Sequence, residues 1–550
     1  MSTRNFQHDQ NCIVAFTNAM ILSIVFLGIL LTFATAQKSQ PIYAGYRDIS
    51  YPENTGGDNR TTGEKPESKL WWNDNLWWAA MWSTGDSAYH IFRLDSPSQT
   101  WIDTGTPIDR RSDSKSDALW DGQKLYILSH VFHKKGAHAP KKGAKLFRYS
   151  YDTQTKSYAS DPGFPAANIS GGVAEAMTIA KDTKGTLWVT YVEDGKVMIN
   201  HSLKGDDARW GTPVSLASVS GVDSAAHVAA DDISTVVAFN HGIGVMWSNQ
   251  NAGKFYFAAH EDGADDNAWR VVSPYSLSTD DHINMASFSC DENGGLYAVV
   301  KTLYNEPKFV LLKCDKDADY LQPESWKAYK VHGKESTKPS RAILLIDQSA
   351  RKLYVFYRLQ VGKKSRAIYY KSSDLDSIYF PPGNGKPFIA TTEAKSQIND
   401  PTSTKQCLTG QSGIVVLASD KRRMRYYHNY LPSGGNISAP NISVSPALFD
   451  YGDLAINQTK KQEFIIKNNG DATLKIKKIE LTGWNVDDFT IVNQSKNAPI
   501  SIPVDQSLTL RVKFHPATME TKSATLKIYS NVIDRTPFKV TLLGNGKAKP

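Results

Sequence analysis

Nine polar residues stand at the entrances to a set of recurring strands: Lys69, Asp117, Glu175, Asp232, Asp281, His282, Asn284, Arg341 and Lys405. Two of these entrances align without a gap, Asp232 against Asp281 and Thr235 against Asn284. Carboxylates and an imidazole can give or take protons, which makes Glu175, Asp232, Asp281 and His282 the candidate acid–base groups. Inverting glycoside hydrolysis needs two carboxylates about 6.5–9.5 Å apart, and Asp232 and Asp281 on adjacent units suit that separation. A lyase would use His and Tyr as base and acid while Arg and Lys neutralise a uronate. The plainer use of a mixed-sign ring is internal: its members satisfy one another and the backbone amides at the strand ends.

A second layer of candidates lies on neighbouring connections. The long segment HVFHKKGAHAPKKGAK supplies His130, His133, Lys134, Lys135, His138, Lys141 and Lys142, and Arg110 and Arg111 precede it. Other connections supply Trp247, Asn249 and Gln250, then Lys301, Tyr304 and Asn305, then Tyr357, Arg358, Lys363 and Lys364. Cations would meet a carboxylate or sulfate and aromatic rings the apolar faces of a sugar, although lysines on solvated loops are common without a ligand. The three histidines have no fixed helical spacing, so no metal site is expected, and no cofactor.

The elements that must position these residues repeat. One strand recurs as LWWAAMW from Leu76, KLYILSH from Lys124, TLWVTYV from Thr186, IGVMWSN from Ile243, GLYAVVK from Gly295, KLYVFYR from Lys352 and GIVVLAS from Gly413. Successive starts are 48, 62, 57, 52, 57 and 61 residues apart, a period that fits four-stranded propeller blades. A further strand follows each copy, and then an outer strand opened by Trp101, Tyr158, Trp210, Trp269, Trp326 and, less cleanly, Tyr379. A ring at a fixed place in every unit is expected to pack between units, since one blade cannot bury its own faces. The seventh unit lacks its outer strand, while IYAGYRDIS (Ile42 to Ser50) precedes the first blade without a partner. The expected fold is therefore all-β: a seven-bladed β-propeller closed by its own N-terminal strand, followed by an immunoglobulin-like β-sandwich.

The domain boundaries follow from texture. Residues 1–36 carry an uncharged run from Asn11 that ends in Ala34-Thr35-Ala36, and read as a signal peptide, with an uncleaved membrane anchor as the alternative. The propeller occupies 37–431, a Pro/Gly/Ser/Asn-rich linker 432–441, and the sandwich 442–550. Cys12 falls in the leader, and Cys290, Cys314 and Cys407 are expected to be unpaired thiols. The formal charge of +8 over 550 residues is modest. No zinc finger, helix-turn-helix or phosphate loop stands in its proper context, so no nucleic-acid partner is expected.

Several strings carry family resemblances. GVMWSNQ, DDHIN, TSTKQ and LASDKRRMRYYH look like those of secreted bacterial propeller proteins, and the layout from Gln37 to about Leu431 resembles sialidase-like, BNR-type propellers. RLDSPSQTW and EDGADDNAW are loose relatives of that family's Asp-box; no intact copy is present, nor an arginine triad with a Tyr–Glu nucleophile pair. The resemblance therefore implies a fold and an exported location rather than a reaction. FDYGDL, IKNNGDATLKI, VKFHP, LKIYSN and VTLLGNG, between Ile442 and Gly546, resemble the hydin-type (choice-of-anchor D) immunoglobulin-like family, which implies a spacer or attachment module. The function expected is non-catalytic binding of an extracellular glycan or cell-surface polymer, an anionic polysaccharide first. A lyase or glycosidase on the same face, or a protein-binding scaffold, is the alternative. The chain is expected to be a monomer that touches a membrane only through an uncleaved leader.

Overall fold

The computed structural model describes residues 45–548, apart from 204, 221–222, 240–241, 287–294, 305–306, 334–337, 362–364, 392, 394, 435–439, 471, 493–498 and 533–536. The proposed leader, Cys290, Asn305, Lys363 and Lys364 lie outside the described residues. Seven antiparallel sheets succeed one another along the chain, each a meander of four strands, with a short extra segment in the third. Their first, innermost strands are Leu70–Asn73, Ser114–Trp120, Met177–Lys181, Ser234–Phe239, Ile283–Ala286, Ser340–Asp347 and Ile398–Thr402. The second strands begin within one residue of the recurring copies in the sequence, from Leu76–Ser83 to Ile414–Asp420. Alternating β-branched and aromatic residues suit a pleated surface buried on both faces, and Trp71, Trp77, Trp78, Tyr126, Tyr191, Tyr297 and Tyr354 are fully buried.

The seventh sheet has the order Tyr46–Ser50, Arg425–Leu431, Ile414–Asp420, Ile398–Thr402. The N-terminal strand thus supplies the outer strand that the seventh blade lacks, as its unpaired pattern predicts. Asp48 ties the two termini together, lying 2.9 Å from His428 Nδ1, while Arg425 donates to the Asp48 carbonyl at 2.8 Å. Tyr46 stacks on the His428 ring.

Five of the six outer-strand rings behave as expected: Trp101, Tyr158, Trp210, Trp269 and Trp326 are buried. Tyr379 does not. It is 66% exposed, and the sixth outer strand is Lys386–Ile389. The adjacent Phe380 and the strand residue Phe388 fill the space between blades instead. An insertion absent from the repeat pattern, Leu216–Ser220 and Asp223–Ala226, forms two short helices between blades three and four.

The sandwich pairs one sheet, Ile442–Ser445, Lys460–Asn468, Ser507–Phe514 and Phe489–Ile491, with a second, Leu448–Ala455, Phe538–Lys547, Thr521–Ser530, Leu474–Thr482 and Ile500–Ile502. Phe464, Phe514, Leu526 and Leu542 fill its core. Two of its strands, Ile442–Ser445 and Ile500–Ile502, are short. No helix among the described residues is long and apolar enough to cross a membrane.

Starting the chain at Tyr51 would remove the closing strand and leave Arg425–Leu431 as an unpaired sheet edge. Light scattering should then show self-association, and the melting temperature should fall below that of a chain starting at Gln37.

Candidate functional site

Between the closing strand and blade one, residues 51–69 contain Pro52, Pro66, Gly56, Gly57 and Gly63 and no apolar alternation, so no strand can form there. Gly57 sits at φ +73, where an added Cβ would lie 2.9 Å from the Phe132 ring. The segment enters the propeller axis at the end where the inner strands begin, and it brings its charges with it.

Glu64 accepts from Lys115 of blade two at 2.7 Å and from Arg341 of blade six at 3.0 Å. Lys65 donates to Glu175, ahead of blade three, at 2.6 Å and to Asp281, ahead of blade five, at 3.0 Å. Its carbonyl accepts from Asn284 at 3.0 Å. Glu67 lies 2.6 Å from His130 Nε2 and 2.8 Å from Lys69 Nζ, and accepts from the Met177 N–H at 3.1 Å. The Ser68 N–H donates to Asp117 at 2.8 Å, and the Thr402 hydroxyl of blade seven donates to the Glu67 carbonyl at 3.0 Å. The segment is a plug, held by five of the seven blades.

The charges are consistent with that geometry. Burial alone would raise Glu64, but Lys115, Arg60, Lys65 and Arg341 together hold its carboxyl well below the usual range. Burial also opposes the Lys65 ammonium, and Asp281, Glu175 and Glu64 outweigh it, so Lys65 stays charged. Glu67, buried but flanked by Lys69 and His130, is brought down to about 2. Asp281 is likewise buried, and His282 and Lys65 hold it far down. Glu175 goes the other way: burial raises it, with Glu64 and Asp281 adding to the effect against Lys65. Burial also raises Asp232 and Asp117.

Of the positions expected to form a ring, Asp117, Glu175, Asp281, Asn284 and Arg341 bond to the protein's own segment 51–69. Lys69 belongs to the plug approach and reaches the Ser116 carbonyl. Asp117 also accepts from the Ile179 N–H at 2.8 Å and pairs with Lys405, which donates to the Ile179 carbonyl at 2.7 Å. Arg341 also meets Asp400 at 2.6 Å. His282 contacts Asp281 and lies 3.1 Å from both Asp280 and the Ser340 hydroxyl. Asp232 stands apart from the plug in a local turn, accepting from the N–H groups of Ala229 at 2.8 Å and Gln250 at 3.0 Å.

The second layer is dispersed. Trp247 and Tyr357, expected as surface rings for a sugar, are fully buried, and this corrects that expectation. The short helical insertion covers Trp247, whose indole donates to Ala225 at 2.6 Å, and Asn249 donates to the same carbonyl at 3.0 Å. The Tyr357 hydroxyl donates to Asn384 at 2.8 Å. Lys301 pairs with Asp280 and Arg111 with Asp109, each at 2.7 Å. Arg110, paired with Asp86 at 2.9 Å, is exposed, as are His133, Lys134, Lys135, Lys141, Lys142 and Tyr304. The three histidines part company: His130 is inside on Glu67, His133 turns to the Lys135 carbonyl, and His138 pairs with Glu193 at 3.0 Å. Arg358 keeps a buried Nε without a hydrogen-bond partner.

Below the plug the axis is open. A cavity of about 770 Å³ is lined by the far ends of the inner strands, including Trp120, Ile179, Val236, Phe239, Gln406 and Cys407, and Pro66 of the plug closes its inner end. It faces away from the connections expected to hold the ligand. Its acidic groups are engaged: Asp121 pairs with Lys181 at 2.7 Å, and Asp182 accepts from the Trp188 indole at 3.0 Å. Cys314 is a buried free thiol, and burial pushes it up to about 11.

Residues 439–547 match the family described as Cep192 domain 4. The match covers the sandwich alone. No curated protein matches the chain. Among solved structures, the periplasmic gluconolactonase PpgL of Pseudomonas aeruginosa is 12% identical over 66% of this chain and 97% of its own, with a TM-score of 0.37. The extracellular domain of a proposed one-component system from B. thetaiotaomicron is 10% identical over 92% of this chain and 60% of its own, at 0.36. An α-L-arabinofuranosidase from Podospora anserina is 11% identical over 44% of this chain and 83% of its own, at 0.29. Similarity at this level assigns no activity.

Glu64, Lys65 and Glu67 are not among the candidates read from the sequence, which took only Lys69 from the approach to blade one. The signal was present in GEKPESK, a charge-dense run without strand pattern at the mouth of the first blade.

Breaking a buried pair by removing one partner costs about 3–5 kcal/mol. Lys65→Met or Glu64→Gln should therefore lower the denaturant midpoint sharply, whereas exposed Lys134→Met should leave it unchanged. The pH dependence has a definite sign. Glu67 titrates lower in the folded protein than in the unfolded chain, so its contribution is complete above about pH 4.3 and is lost as pH falls towards 2. Acid unfolding followed by tryptophan fluorescence should begin in that window, and Glu67→Gln should flatten the slope.

Proposed function

We propose that the protein is an exported, extracellular or cell-surface recognition protein that binds carbohydrate on the plugged face of its propeller without transforming it. The plug is the observation that carries this reading. Of the four acid–base candidates, Asp281, His282 and Glu175 belong to an ion-pair and hydrogen-bond network with Lys65 and Asp280 rather than to a pair facing an open substrate cleft. Around that closed centre stand exposed groups suited to holding a polymer, namely Tyr304, Arg110 and the lysines of the long blade-two loop. On this reading the propeller is kin to the sialidase-like exported family, the hydin-type sandwich is a spacer or attachment module, and residues 1–36 direct export.

One observation favours a second reading, glycoside or polysaccharide cleavage on the same face. Glu175 Oε2 and Asp232 Oδ1 are buried without a hydrogen-bond partner, and both carboxyls are raised, as a general acid requires.

A glycan array and a polysaccharide digestion on the chain from Gln37 separate the two. Retention of a glycan with no new reducing ends and no unsaturated product is expected. Tyr304→Ala should weaken retention several-fold without moving the melting temperature. New ends that disappear in Glu175→Gln would put cleavage in place of recognition, and silence in both assays would remove both readings.

A further inference from the structure

The plugged face carries a local surplus of positive charge where blades six and seven meet. Arg358 stands on the second strand of blade six, Lys352–Val361, and Arg366 on the third, Ser365–Asp374. The register pairs Arg358 with Ile368 and Gln360 with Arg366, so the two arginines are diagonal neighbours on the same side of the sheet. Arg358 also lies opposite Ser340, next to Arg341 at the start of the inner strand. Lys421 approaches from the turn that follows Ile414–Asp420 of blade seven.

The carboxylates nearby are spent on other cations. Asp400 and Glu64 are shared by Arg341 and Arg60, and Glu393 takes Arg47 and Arg423. That leaves Arg358, Arg366 and Lys421 without a hydrogen bond or ion pair from their side chains among the described residues, and the Arg358 Nε is buried with no partner. A buried guanidinium donor normally has an acceptor, and its lack here calls for one.

The charges feel one another. Burial, then Arg366 and Arg341, push Arg358 down to about 9. Arg366 is lowered by burial and Arg341, and Lys421 by burial, Arg366 and Arg60. Arg341 presses on all three cations and Arg366 on two of them, an arrangement that an added anion would relieve.

We propose that the place where blades six and seven meet is an anion site in which Arg358 and Arg366, with Lys421 at the solvent edge, bind the carboxylate or sulfate group of an acidic saccharide. The planar donor forks of two guanidinium groups suit a two-oxygen face, and the exposed ammonium adds charge at the entrance. The sugar rests on the carbohydrate reading above; the anion does not.

The test titrates the chain from Gln37 with sulfate, D-glucuronate and D-glucose by calorimetry in chloride of matched ionic strength. Saturable binding of sulfate or glucuronate, and none of glucose, is expected. Arg358→Gln and Arg366→Gln should each weaken it roughly tenfold or more, as expected for a charged hydrogen bond. Lys327→Gln, which removes an exposed partner of Asp315, should change nothing. A second readout guards against misfolding: without ligand, Arg358→Gln should melt at or above the temperature of the parent, because it removes a crowded charge. No saturable anion binding, binding that survives both arginine substitutions, or a lowered melting temperature for unliganded Arg358→Gln would each overturn the site. Anion binding alongside a silent glycan array would overturn the carbohydrate reading alone. Glycan retention that survives both substitutions would overturn the assignment of the acidic saccharide to this site.

Discussion

The ion pairs of Glu64 and Lys65 at the propeller axis are the constraint on which the rest of this face depends. Each charge is buried, and a lone buried ion costs several kcal/mol. The arrangement holds because signs alternate around it: Lys115 and Arg341 on Glu64, Glu175 and Asp281 on Lys65, His130 and Lys69 on Glu67. Sliding the segment by one residue would set Glu64 against Glu175 and Asp281. Charge therefore fixes the register of a segment that has neither helix nor strand to fix it, and the same contacts join blades that are far apart in sequence.

The two ends of the axis consequently differ in kind. One end is closed by chain and saturated with paired charge, so that face presents a rim of loops rather than a shaft. The other end keeps a wide cavity with largely apolar walls, Trp120, Val236 and Phe239 among them, and the carboxylates at its mouth are already bonded. Among the described residues, Glu64, Glu67, Asp281, Asp121 and Asp182 each have a bonding partner. The arginines where blades six and seven meet depart from this neutrality, since the nearby carboxylates are taken by other cations.

Much of the architecture could be read in the sequence because blades repeat. KLYILSH and KLYVFYR announce second strands by composition and spacing, and the orphan YRDIS matches a vacancy elsewhere in the period. Where the repeat lapses, so does legibility. Tyr379 continues the spacing of the outer-strand rings, yet Phe380 beside it is the buried one, and periodicity cannot choose between neighbours. Trp247 looks like a surface ring until the helical insertion that covers it is seen, and nothing in blade four's own pattern signals that cover. The candidate ring was legible as positions but not as partners. Asn284, Arg341 and Asp117 find theirs on residues more than 45 positions away, in a segment that belongs to no repeat.

The closing strand and the plug both come from the stretch between Tyr46 and Lys69, and both take partners from the far end of the propeller: His428, Thr402 and Asp400. The first part of the propeller to leave the ribosome is therefore the last that can be placed, since its partners appear hundreds of residues later. Contacts of such long range cannot form early, and they slow folding. Through that interval a strand edge and a set of charges must wait in solvent, and the order of synthesis is the reverse of the order of assembly.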